Sequence, residues 1–320
     1  MRNSVYDPVV APLAIEPAVI AALVAAGVSI ATTLATKLWL DRRAHKDVLE
    51  IEYEYEQRKA LRALIGRYHG RLLDSAISWH YRMTNIYANW EEGWLDATGH
   101  YGGPAYDKPA YYFRSTVYRF LALEAHSHLF TREQIFIDAR VAQPSDLDFV
   151  KLVNALHWVM TDAALFEGLA YEVFEGPDHI TSDRLRALTD TFLSDGSVPS
   201  FRAFEARLDS EAKQLEPNSG ADRWLQLERI FKFFDGVSPK EERLRWDRLV
   251  CLHLLTIAFV RQFGYEWTRP SEADVANAVG RIEHARIAGN FVSWMPVLGL
   301  ANHEGLTDVT ELLRRRAAES

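Results

Sequence analysis

The hydrophobic pattern of this chain changes character twice. Pro17 to Thr36 (PAVIAALVAAGVSIATTLAT) is a stretch of 20 residues with no formally charged side chain. An α-helix needs about 20 apolar residues to cross a bilayer core of roughly 30 Å. Lys37 interrupts the run, Leu38, Trp39 and Leu40 follow, and then come Asp41, Arg42, Arg43 and Lys46. An apolar core, an interfacial Trp and a basic flank are the order of a single transmembrane helix, here residues 17–40. From Ala44 to Arg62 the chain is densely charged, with Glu54 and Arg58 in the favourable i,i+4 order. Residues 41–60 therefore read as an exposed juxtamembrane helix that continues the span. Beyond it Leu61, Ile65, Tyr68, Leu72, Ala76, Trp79, Met83, Ile86 and Trp90 form one stripe. Its mean spacing of about 3.6 is that of a straight α-helix, not the 3.5 of a left-handed coiled coil. That stripe predicts packing into a globular bundle, so the fold expected is all-α: one N-terminal transmembrane helix and a multi-helix domain over 61–320.

Two other readings of the apolar run were weighed against the anchor. A cleaved signal peptide has a basic region before a core of 7–15 residues. Here Arg2, Asp7 and Glu16 precede the run and the basic cluster follows it. A buried or interfacial helix is the second reading, because Ala and Thr keep the hydrophobicity modest. Basic residues beside a span stay cytoplasmic. The flanks thus predict a single-pass protein of the cell (inner) membrane, with residues 1–16 outside and the large C-terminal domain in the cytoplasm.

Within the span, Ala22, Ala26, Ser29, Thr33 and Thr36 form a stripe of small side chains, and Ile20, Leu23, Gly27, Ile30 and Leu34 a bulkier one. In lipid, helices associate through close backbone approach and interhelical hydrogen bonds, and small residues supply both. The small stripe is the expected helix-association face, for a second copy or another protein. The alternative is that Ser29 and Thr33 bond back to carbonyls of their own helix.

Further helices have readable starts. One spans Ala110 to Phe130. Thr131-Arg132-Glu133-Gln134 reads as a capping box opening the next. Ser145-Asp146-Leu147-Asp148 caps a long helix to about Phe174. Thr181–Leu193 and Ser200–Leu215 are amphipathic. Ser238-Pro239-Lys240-Glu241 combines an N-cap Ser, Pro at the first position and Glu at the third. The run Leu249 to Val260 that follows is too short to span a membrane and reads as core. Ser271 opens another helix, and Leu306 to Ala318 is the last. Glu216-Pro217-Asn218-Ser219-Gly220 is a candidate break, so two lobes split near 217 are as plausible as one domain.

Charge and cysteine narrow the function classes. The chain carries 36 basic and 44 acidic side chains, two of each in the first 40 residues, leaving 34 against 42 beyond. A net of −8 argues against a nucleic-acid partner, which needs Lys and Arg in excess. Cys251 is the only cysteine, lies in an apolar run, and can form no intramolecular disulfide, in keeping with a reducing compartment.

Candidate chemistry is sparse. His126 and His128 are two apart, about 200° around a helix, and cannot share one ion. Glu124 and His128 share a face and could join His157 and Asp162 in a metal or catalytic site; a buried His satisfied by a carboxylate is the plainer reading. The chain has no HExxH, Glu-x-x-His, GxSxG, Walker A, GxGxxG or CxxC motif. The Gly-rich stretch 99–104 lacks the strand and Lys-Ser/Thr of a phosphate loop. The leading expectation is a membrane-tethered interaction or signalling module, with the lipid bilayer and a protein as partners and no cofactor. A membrane-anchored metal-dependent enzyme or a small-molecule sensor is the alternative.

Overall fold

The structure, a computed structural model, describes residues 16–98, 108–171, 178–214, 227–301 and 303–318. Helix is the regular secondary structure of the described residues, which contain one isolated bridge, Ser194 to Ser197, and no strand. The chain divides into two compact units, 1–56 and 57–320.

In the first unit the described residues belong to α1 (Pro17–Asn89), which runs on without a break into the second. Leu23, Val28, Ile30 and Leu38 are each at least 60 % exposed, and none of the apolar window is buried. With the 3-10 turn Trp90–Glu92, α1 makes a helical path of 76 residues, the one helix among the described residues long and apolar enough to cross a membrane. A hydrocarbon core of roughly 30 Å takes about 20 helical residues, so by length only the apolar start of α1 matches one. Thr32 Oγ1 donates to Val28 O and Thr33 Oγ1 to Ser29 O, both at 2.8 Å. The Thr33 hydroxyl proton is thus committed within its own helix.

The second unit is built on the predicted stripe. Leu61, Tyr68, Leu72, Ala76, Trp79, Met83 and Ile86 are all buried, and Ile65 and Trp90 half-buried. Against it pack α2 (Lys108–Gln134), α3 (Pro144–Thr161) and α7 (Arg245–Phe263). Every residue of α7 from Arg245 to Val260 is buried, which confirms the 249–260 run as core. Trp79, Phe120 and Phe234 interlock edge to face at 5.2–6.3 Å between ring centroids. Around this centre lie α4 (Ser182–Phe192), α5 (Phe201–Gln214), α6 (Glu228–Phe234), α8 (Glu272–Val279), α9 (Ala285–Trp294) and α10 (Thr307–Ala317). Both α5 and α6 pack on α2, within the same unit. Residue 217, between them, lies outside the described residues, as do residues 1–15, the stretch 99–104 and residues 172–174.

Several helix boundaries differ from expectation for identifiable reasons. Thr131 opens no helix: its hydroxyl returns to Ser127 O at 2.9 Å, while Glu133 is held by Arg67 and by the Tyr68 hydroxyl at 2.6 Å, so α2 runs on to Gln134. The next helix starts at Pro144, and Asp146 is engaged by Arg62 at 3.1 Å. It stops at Thr161, where the Asp162 carboxylate accepts from Ala164 N and opens a 3-10 turn, Ala163–Phe166. Ser238 and Glu241 do bond reciprocally with the local backbone, but Arg245 clamps the Glu241 carboxylate and α7 begins only at Arg245. At Ser271 the expected cap forms in full, as a capping box with Asp274.

Two arginines at the start of α7 tie the bundle together. Arg245 donates to the carbonyls of Lys232, Phe233 and Asp235 at the C-terminus of α6. Arg248 donates to the carbonyls of Val159 and Asp162 at the C-terminus of α3. Each places a cation where the helix dipole is negative and the last carbonyls lack partners.

Candidate functional site

The fold gathers α2, α3 and α4 around one polar line. Glu124 projects from α2 and is fully buried. His157 faces it from α3, with Nδ1 3.4 Å from Glu124 Oε2. The other imidazole nitrogen, Nε2, lies 2.9 Å from the hydroxyl of Ser182, the first residue of α4. Acid, imidazole and hydroxyl thus follow one another from the core towards the surface. Among the described residues neither Glu124 oxygen finds a good hydrogen bond, since 3.4 Å to His157 is too long for one. Burial pushes the Glu124 carboxyl above its ordinary range and the nearby His157 opposes that shift; burial dominates.

Two of the four sequence candidates are therefore neighbours and two are committed elsewhere. His128 turns Nε2 to Asp190 on α4 at 3.2 Å, and Arg132 approaches the same carboxylate oxygen at 3.4 Å. Burial lowers the His128 pKa and Asp190 partly restores it. Asp162 spends one oxygen on Ala164 N at 2.8 Å and the other on the Trp294 indole at 3.2 Å, so it terminates α3 instead of facing Glu124. Among the described residues no group of three or more His, Cys, Asp and Glu is placed to hold a metal ion. His126 and His128 do point to different neighbours, as their spacing requires. His126 Nδ1 lies 2.9 Å from Ser75 Oγ of α1, and burial, with Arg71 nearby, pushes its pKa down to about 4.

Sequence reasoning missed Ser182, although a Ser directly after Thr181 at a helix start was visible. It also missed the polar interior of α7. Asp247 accepts from the backbone of Glu283 at 2.7 Å and pairs with His284 Nδ1 at 2.6 Å, which raises the His284 pKa. Cys251, on the same helix, is fully buried, and burial pushes its thiol well up, so it behaves as a small apolar side chain.

A scan against protein-family models and searches of curated proteins and of solved structures return no match for this chain.

Proposed function

We propose that this protein is a membrane-tethered helical interaction or signalling module. One observation carries the reading: the charge-free run of α1 is wholly exposed, and it is continuous in sequence with a helix that the second unit buries as core. Water disfavours such a surface at about 25 cal/mol per Å² of apolar area, and a bilayer removes the penalty. The basic flank after the run supports an orientation with residues 57–320 in the cytoplasm of a single-pass inner-membrane protein. The small stripe Ala22, Ala26, Ser29, Thr33 and Thr36 supports association with a second copy or another protein. Vesicle flotation tests the tether: the full chain floats with the lipid, and residues 57–320 alone stay in the dense fraction. Flotation of both equally, or of neither, contradicts it.

A second reading rests on the order Glu124, His157, Ser182. With Nδ1 towards the carboxyl, the His157 Nε2 is free to accept the Ser182 proton, the arrangement of an acyl-transferring serine. A fluorophosphonate probe decides it. An adduct on Ser182 that is lost in His157→Gln establishes the hydrolase reading; no adduct removes it.

A further inference from the structure

The bundle holds a pair of arginines that no carboxylate among the described residues pairs with. Arg82, on α1, is only 6 % exposed. Its Nη2 donates to Ser115 Oγ at 2.8 Å, and its plane sits 4.7 Å over the Tyr112 ring. Among the described residues its Nη1 has no hydrogen-bond partner. Beside it Arg119, on α2, donates from Nε to Ser78 Oγ and from Nη1 to Ser115 O, both at 3.0 Å. No carboxylate among the described residues forms an ion pair with either guanidinium. The neighbour Arg114 shows the contrast: equally buried, it is paired with Asp209 at 3.2 Å. Burial and the adjacent Arg119 together push the Arg82 pKa down to about 10, which still leaves it charged.

A buried charge is retained only where it is paired or where a ligand completes it. Two adjacent guanidiniums need two negative charges. Ser115 spends its hydroxyl proton on Tyr112 O, but the hydroxyl of Ser78 and the phenol of Tyr111 are neutral neighbours able to donate to oxyanion oxygens. Tyr111 and Tyr112 also stand near the start of α2, where the helix dipole adds positive potential. We propose that Arg82 and Arg119 form a binding site for a phosphate group, with Arg82 Nη1 as the donor awaiting it. The dianion supplies the missing counter-charge, and the forked geometry of arginine matches its oxygens. The partly exposed Tyr111 leaves room for the ligand to extend outward. The phosphate group can belong to a soluble molecule or to a lipid headgroup.

The test uses the full chain in detergent and reads its thermal midpoint. Inorganic phosphate at about ten times its Kd raises the midpoint by roughly 3 °C or more. In a second arm the chain sits in phosphate-buffer-free nanodiscs with and without phosphatidate. A rise in the first arm assigns a soluble ligand, and a rise in the second alone assigns a headgroup. Phosphate also stabilises proteins by exclusion from their surfaces, so two variants decide specificity. Arg82→Leu keeps or raises the ligand-free midpoint, because it removes an uncompensated charge, and loses the phosphate response. Arg119→Gln, at a half-buried position, loses the response as well. No rise in either arm, or the same rise in both variants as in the wild type, overturns the site.

Discussion

His80 and His253 meet through their rings inside the bundle: Nδ1 of His80 lies 2.9 Å from Nε2 of His253. The other nitrogen of His253 lies 2.9 Å from the Tyr87 hydroxyl. Both contacts are satisfied if Tyr87 donates to His253 Nδ1 and His253 Nε2–H donates to His80 Nδ1, a tautomer assignment that follows from the partners. All three groups are buried, and burial holds both imidazoles neutral by lowering their pKa, most strongly for His253.

Acid destabilisation follows. A histidine whose folded pKa is depressed contributes fully above its unfolded value, near 6.5, and loses stability as pH falls below it. His80, His253, His126 and His179 all have this sign, the last two with folded values about 4. His284, raised by Asp247, has the opposite sign: its contribution is full below 6.5 and fades as pH rises through its folded pKa. With His128 and His303 shifted the same way, six groups against one give a urea midpoint for residues 57–320 that declines steadily from pH 7 to pH 5. A flat or rising midpoint over that window contradicts the buried neutral network.

Asp247 is 1 % exposed and satisfies the backbone of Glu283 and the ring of His284. Asp247→Ala strands those donors, at a cost of about 2–4 kcal/mol. Equilibrium unfolding of the variant measures it, and a loss under 1 kcal/mol contradicts this role.

Glu124 is the opposite case, a buried carboxyl without a hydrogen bond. Its raised pKa means that it weakens the fold above its unfolded value, near pH 4.5, and that the penalty fades as pH falls. Glu124→Gln removes the charge and keeps an oxygen for His157, so stability at pH 7 holds or rises, by up to about 2 kcal/mol. A fall of more than 1 kcal/mol shows instead that an ionised Glu124–His157 pair holds α2 to α3.

The sequence made the long helices legible and the polar interior illegible, for one physical reason. Periodicity reports which face is buried, so the stripe from Leu61 to Ile86 and the run Leu249–Val260 could be assigned directly. Hydrogen-bond partners far apart in sequence leave no periodic trace: His80 and His253 are 173 residues apart, and His157 and Ser182 belong to different helices. Capping patterns were legible only where no arginine competed for the carboxylate. Ser271 kept its box, while Glu133 and Glu241 were taken by Arg67 and Arg245. Asp162 entered the candidate set as a residue of a helix expected to run to about Phe174, whereas α3 stops at Thr161.

Association through the span is tested in the membrane. Ala26→Ile places bulk on the small stripe and weakens cross-linking of the chain to itself, whereas Leu23→Ile on the bulky stripe leaves it unchanged. Because Thr33 already bonds to Ser29 O, Thr33→Val has less effect than Ala26→Ile. Equal cross-linking in the wild type and Ala26→Ile rules the stripe out as an interface.

Alkaline carbonate extraction of membranes containing the full chain is the sharpest test of the anchor. The chain stays in the membrane pellet, and replacing Leu23, Val24 and Val28 with Asp moves it to the supernatant, since each charge in a hydrocarbon core costs about 2.5–3.5 kcal/mol. Release of the unaltered chain into the supernatant contradicts an integral anchor at residues 17–36.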